Sequence, residues 1–233
     1  MTQTLAWVED RVAAGAAAAH LCVNAANTVR AHREAEYRQL LGAADLVGAD
    51  GASMLWAGSV LGVDVPERVT GIDLMTRACE RAVERGWGVY LLGARPDVVA
   101  RVAHDLGGKG VRVVGFHDGY LDGIDGHELA GQIAAAGADL LFVGMPSPAK
   151  ERFVVECARP AGIPVSIGVG GSFDVLAGDL RRAPQAWQRL GLEWLFRVLQ
   201  EPRRLLRRYA ETNTRFVLLV LAERLRRRRR HAR

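Results

Sequence analysis

Asp50, in Ala49-Asp50-Gly51, has the type and setting of a general base. It falls just past an apolar run, and the glycine after it lets backbone or ligand approach closely. A carboxylate there can take the proton of an attacking hydroxyl. A plain Asp-Gly turn is the commoner use of that dipeptide, so both readings stand at this point. Gly168-Val169-Gly170-Gly171-Ser172-Phe173-Asp174 also follows an apolar run and can offer backbone N–H groups to a phosphate. It lacks the third glycine of the dinucleotide fingerprint, which speaks against a nicotinamide-dependent oxidoreductase. Arg68 and Asp73 flank Thr70-Gly71, where an ion pair or a helix cap is the default and Asp73 suits a first-turn acid. Arg197, Arg204 and Arg207 are spaced seven and three apart. If one helix runs through Pro202 they project from one side and suit a diphosphate; a solvated basic face is the alternative.

The chain has no Asp-x-Asp, the usual carboxylate clamp for a metal–nucleotide complex, and its six histidines show no ligand spacing. Asp118, Asp122 and Asp125 sit among glycines at the wrong spacing for an EF-hand and read as a solvated loop. No metal or other cofactor is therefore expected. Bound phosphates would be neutralised by Arg, Lys and backbone dipoles. Of the basic residues 29 are Arg and only two, Lys109 and Lys150, are Lys. In such a chain a lysine hints that a compact, mobile point charge is wanted.

These residues need a scaffold. Apolar runs at 20–23, 45–47, 89–93, 111–115, 140–143 and 165–169 read as strands, with 45–47 expected to be buried. Helices are expected over 5–20, 27–41, 73–85, 96–106 and 128–136. Continuous apolar strands alternating with helices predict a Rossmann-like α/β fold, a parallel sheet covered by helices. Ligands of such sheets bind at the carboxyl ends of the strands, where Asn24, Asp50, Gly144 to Glu151 and Gly168 to Asp174 fall.

From Arg197 to Arg233 there are 13 Arg and 3 Glu, a net of +10 against +5 for the whole chain, so residues 1–196 carry −5. Beyond Pro202, Leu205, Leu206, Tyr209, Phe216, Val217 and Val220 share one face of a helical wheel. Arg203, Arg204, Arg207, Arg208 and Arg215 take the opposite one, and the closing run Arg226–Arg230 is expected to fray. The expected organisation is a domain over 1–195 and a basic, amphipathic helical appendage over 196–233 that suits an anionic partner. Three scattered cysteines fit a reducing cytosol, and Glu9 and Asp10 near the start argue against a secretory leader. The longest strongly apolar run, 216–222, is far short of the roughly 20 residues that span a bilayer. An intracellular (cytoplasmic) protein is expected, whose membrane contact, if any, is peripheral. A nucleotide-binding scaffold with a nucleic-acid-binding tail is the competing class; the terminal run lacks interleaved aromatics, so no nucleic acid is expected.

Taken together, the motifs resemble the WecG/TagA/CpsF glycosyltransferases (glycosyltransferase family 26) over nearly the whole chain. The resemblance is carried by Asn24, Ala44-Asp45-Leu46-Val47 with Asp50-Gly51, Glu67-Arg68-Val69-Thr70-Gly71-x-Asp73-Leu74, Leu91-Leu92-Gly93 and Gly119-Tyr120. Val143-Gly144 with Pro148-x-x-Glu151, the Gly168–Gly178 segment, Arg182-Ala183-Pro184, Gly191-Leu192-Glu193-Trp194 with Arg197, and Glu201-Pro202-x-Arg204 complete it. It implies an inverting, metal-independent transfer from a UDP-sugar to a polyprenyl (undecaprenyl) diphosphate-linked glycan acceptor at an anionic membrane surface. A homo-oligomer is left open. It makes Asp50 the base, places Asn24 and Arg68 in the pocket, turns Arg197, Arg204 and Arg207 to the phosphates, and makes the 196–233 appendage membrane-associating. Asp73, Gly144, Lys150, Glu151, Gly170, Gly171 and Asp174 complete the expected substrate-binding set. Two positions depart from the familiar pattern. Pro148-Ala149-Lys150-Glu151 stands where Pro-Lys-Gln-Glu is usual, and Cys22 stands where a pocket threonine is usual. N-acetylmannosamine transfer, the familiar activity, is accordingly not assigned; Lys150 could reach a donor phosphate or a uronic carboxylate.

Overall fold

The computed structural model describes residues 1–189 and 191–231, except for the side chains of Arg189, Arg204, Arg208 and His231. Helix α1 (Thr2–Ala14) precedes strand β1 (Ala18–Val23); α2 (Ala25–Arg33) and α3 (Ala35–Gly42) lead to β2 (Leu46–Ala49). Next come α4 (Ala52–Leu61), α5 (Gly71–Arg85), β3 (Gly88–Gly93), α6 (Pro96–Gly108), β4 (Arg112–His117), α7 (Gly126–Ala135) and β5 (Leu140–Gly144). The short α8 (Ala149–Arg152) continues as a π-helical turn, Phe153–Ala158, towards β6 (Val165–Gly168). Then follow α9 (Ser172–Leu176), α10 (Gln185–Arg189), α11 (Glu193–Gln200) and α12 (Pro202–His231).

All six strands form one parallel sheet in the order β2-β1-β6-β5-β3-β4. The expected α/β class and parallel sheet are what the chain adopts. The runs with unbroken apolar character, β1, β3, β5 and β6, take the inner positions, where both faces are covered. Of residues 45–47, expected to be a buried strand, Leu46 and Val47 instead open the edge strand β2, and Val47 is 42% exposed. The helix expected over 27–41 is two helices. Glu34 turns extended, with φ −113 and ψ 108, and closes α2.

By its contacts the chain divides into two units. The first comprises Met1–Cys22, Gln39–Gly48 and Thr70–Arg181. Its core is built around Leu21, Leu92, Ile133, Leu141, Val143, Val154 and Ile163, all fully buried. The second comprises Val23–Arg38, Ala49–Val69 and Arg182–Arg233. Here Phe216 and Val220 of α12 pack on Ala25 and Val29 of α2 and Ala57 of α4, with Trp56 beside Phe216 at 6.3 Å between ring centroids. Burial of each larger side chain here, Val29, Phe216 and Val220, contributes roughly 2 kcal/mol.

This packing revises the reading of the basic tail. Leu205, Phe216 and Val220 are buried, but Leu206 and Val217, expected on the same face, are 61% and 39% exposed. The buried stripe is narrower than the wheel implies, because only the side of α12 that faces α2 and α4 is covered. The helix also holds its form through the Arg226–Arg230 run, which does not fray. No helix among the described residues is long and apolar enough to cross a membrane.

His20, on β1 in the first unit, has an unusual setting. Its ring is fully buried, 6.3 Å from that of Trp7, and would meet a side chain at Gly48 with Nε2 at 3.1 Å. Neither ring nitrogen makes a hydrogen bond of ordinary geometry among the described residues. Burial pushes its pKa down to about 4 from 6.5, outweighing a weaker backbone contact that favours the proton. The unfolded chain therefore takes up this proton before the folded one does. The stabilising contribution is complete above pH 6.5 and is lost as the pH falls from there towards 4, about 3 kcal/mol in all. Urea midpoints of the wild type should drop across that window, whereas His20→Phe should flatten this part of the curve. Parallel curves would show that His20 does not set the acid limit.

Candidate functional site

The second unit gathers Asn24, Asp50 and Arg68. Asn24 follows β1 and caps α2: its Oδ1 accepts from the N–H groups of Ala26 at 3.0 Å and Asn27 at 3.2 Å, and Asn27 Oδ1 accepts from its own N–H. The capping box commits the carbonyl side of this amide, so its Nδ2 donors are what a ligand would meet. Asp50 follows β2, and its N–H donates to the Val23 carbonyl at 2.8 Å, which sets it beside the start of α2. Gly51, at φ 101, then turns the chain into α4. The half-exposed carboxylate is thus held at the head of a helix by backbone on both sides.

Two contacts from the far end of the chain pin this segment. A side chain at Gly191, itself at φ 70, would come within 2.5 Å of Ala52 Cβ, so only glycine permits the approach. The Arg68 guanidinium pairs with Glu193, Nη2 to Oε1 3.2 Å, with both side chains largely covered. From the sequence, an ion pair between Arg68 and Asp73 and a helix cap are both open. The acid Arg68 meets lies 125 residues further on, a distance at which no local spacing rule gives a signal.

The three arginines do not share one helix. Glu201 closes α11 with φ −134 and ψ 61, and α12 starts afresh at Pro202. Arg197 is exposed on α11, while Arg207 on α12 is 90% exposed and paired with Glu211 at 3.0 Å. The side chain of Arg204 lies outside the described residues, as does that of Arg208. The condition for their common projection, continuity across Pro202, is not met.

The first unit brings together the segments after β5 and β6. Gly144 ends β5, in register with Gly93 of β3. Beyond it Lys150 and Glu151 open α8, and both are buried. Lys150 Nζ lies 3.1 Å from Glu151 Oε1, and Ser147 Oγ donates to the same oxygen at 2.8 Å. The lysine stem crosses Gly168, where a Cβ would meet Lys150 Cδ at 3.0 Å and Cε at 3.1 Å; its ammonium ends 3.9 Å from the corresponding point on Gly170. A glycine at the end of β6 is what lets the stem pass. Burying an ion pair is costly unless its remaining groups are bonded, so this arrangement marks a position where charge is wanted.

The glycine turn itself offers less to a phosphate than its sequence suggests. The N–H groups of Val169 and Gly170 both donate to the Val143 carbonyl, at 2.9 and 3.3 Å, and so are engaged in the sheet. Gly171 and Asp174 open the short α9. Asp73 sits in the first turn of α5, where the Thr70 hydroxyl accepts from its N–H at 3.2 Å and donates to its Oδ2 at 2.6 Å. The helix-cap reading of this motif is the one realised. Among the described residues no three His, Cys, Asp or Glu side chains gather into a metal-ligating group.

The two clusters differ in chemistry. One presents a carboxylate with an arginine fixed by a covered ion pair; the other presents an ammonium and a carboxylate held in each other's field. The sequence model described as the glycosyl transferase WecG/TagA/CpsF family matches residues 1–230.

Proposed function

Since the chain belongs to the WecG/TagA/CpsF family, glycosyltransferases of cell-surface polymer synthesis, we propose that it moves a hexose-type sugar from a UDP-sugar to a polyprenyl diphosphate-linked acceptor, inverting the anomeric centre. The observation that carries this reading is Asp50 at the head of α4, in a segment fixed by Gly191 against Ala52 and by Arg68 on Glu193. A carboxylate so placed takes the proton of the acceptor hydroxyl as that oxygen attacks C1 of the donor sugar. The C1–O bond to the diphosphate breaks as the new glycosidic bond forms, and UDP leaves with the charge. Attack from the face opposite the leaving group accounts for inversion.

Cations then stabilise the departing diphosphate. Arg68 and Lys150 are our candidates, with Arg197, Arg204 and Arg207 directed to the phosphates of the acceptor. Asn24, Asp73, Gly144, Glu151, Gly170, Gly171 and Asp174 remain proposed substrate contacts. No metal has a role in this scheme, so turnover is expected to survive EDTA. The 196–233 stretch serves as a membrane-associating appendage, its arginines drawn to an anionic inner face at roughly 1 kcal/mol each.

The experiment is a panel of UDP-sugars offered with lipid-linked mono- and disaccharide acceptors and read by mass spectrometry. A single donor–acceptor pair giving UDP and an elongated lipid supports the reading; hydrolysis without transfer across the panel counts against it. With that pair in hand, Arg204→Ala combined with Arg207→Ala should raise KM for the lipid-linked acceptor about tenfold or more, leaving KM for the donor within about twofold. Unchanged acceptor kinetics would reduce both arginines to a solvated face.

A further inference from the structure

The end of α4 and the last turns of α12, both in the second unit, enclose an open cavity of about 630 Å³. Ser59, Leu61 and Gly62 form one wall, and Arg224, Arg227 and Arg228 the other. Arg227 has structural work: its Nη1 donates to the Leu61 carbonyl at 3.2 Å and its Nε to Glu223 at 3.1 Å. A guanidinium there offsets the negative end of α4, which would otherwise repel an anion. Arg224 and Arg228 stand one turn apart and pair with no acid among the described residues. Two guanidiniums facing one cavity suit the oxygens of a phosphate ester.

The neighbouring surface says where that phosphate comes from. Val217, Leu221 and Leu225 recur at helical spacing and are 39%, 42% and 57% exposed; Leu218 is 60% exposed. By the 3.6-residue period they lie on the flank next to Arg224 and Arg228, away from the buried Phe216 and Val220. An exposed apolar strip bordered by arginines is how a helix lies in a bilayer interface, with its cations reaching up to the headgroups. We propose that the cavity binds the phosphate of an acidic phospholipid, while Val217, Leu218, Leu221 and Leu225 enter the acyl boundary. The proposal rests on the reading of the chain as a membrane-surface enzyme. It adds a lipid site whose arginines are not those assigned to the acceptor.

The test is sedimentation of the full-length protein with phosphatidylcholine vesicles, with and without phosphatidylglycerol. Arg224→Gln with Arg228→Gln is compared with Arg226→Gln with Arg229→Gln, which removes the same charge from elsewhere on the helix. We expect the first pair to weaken binding to phosphatidylglycerol vesicles about tenfold or more, and the second no more than about threefold. Equal losses would mean diffuse charge and overturn the site while leaving membrane association intact. No binding of the wild type to either vesicle would overturn both the site and the membrane reading. Soluble glycerol phosphate that displaces the protein as effectively as vesicles bind it would reassign the cavity to a free phosphate ester, as would binding of single-stranded RNA lost in the first pair alone to a nucleic acid; either overturns the lipid assignment.

Discussion

Asp50→Asn is expected to lower kcat about 10³-fold while leaving the affinity for UDP within about twofold. The substitution keeps the shape of the side chain, and the bond holding position 50 to the Val23 carbonyl is made by backbone, so the turn into α4 persists. What is lost is the ability to accept a proton. Turnover would be followed by mass spectrometry of the lipid-linked product, and UDP binding by calorimetry. Retained turnover would remove Asp50 from the role of base. A parallel collapse of UDP binding and thermal stability would make it a structural residue instead.

The second large effect lies in the other unit. Lys150→Met should destabilise the fold by about 3–5 kcal/mol, because it leaves the carboxylate of fully buried Glu151 without its ammonium partner. Lys150→Gln keeps a donor for Glu151 and should recover most of that loss, and so separates stability from chemistry. If Lys150 meets the donor, the Gln variant folds normally and shows a raised KM for the UDP-sugar at unchanged acceptor KM. Comparing UDP-hexoses with UDP-uronates would then tell whether the ammonium meets the diphosphate or a sugar carboxylate. Urea curves of the Met variant that overlay the wild type would refute the picture of a buried pair. Gly168→Ala offers an independent check, since its methyl must push aside the lysine stem that passes at 3.0 Å.

How far this could be read without coordinates depended on the range of the interaction. The inner strands were legible because burial on both faces demands unbroken apolar runs, and the Thr70 cap because it acts over three residues. The edge position of β2 was not, since a short apolar run looks alike in the middle of a sheet and at its rim. The break at Glu201 was left open: the arginines share one side only if a single helix runs through Pro202, and only the backbone shows that α11 ends at Glu201 before α12 begins. Of the candidate site, Asp50 and Lys150 stood out by type and setting. Glu193, Gly191 and the Lys150–Gly168 crossing depend on contacts between distant segments, which spacing rules do not reach.

The division of the chain into interleaved segments has a consequence for its biogenesis. Asp50 and Arg68 leave the ribosome early, yet the residues that hold their segment, Gly191 and Glu193, belong to the stretch Arg182–Arg233, the last of the second unit to be made. Domains fold as units during synthesis, and this one cannot close until the stretch Arg182–Arg233 has been made. A nascent or prematurely terminated chain therefore carries the candidate base without its setting. The helix proposed to meet the lipid surface belongs to the same late stretch, so the proposed base gains its setting only when that helix is present.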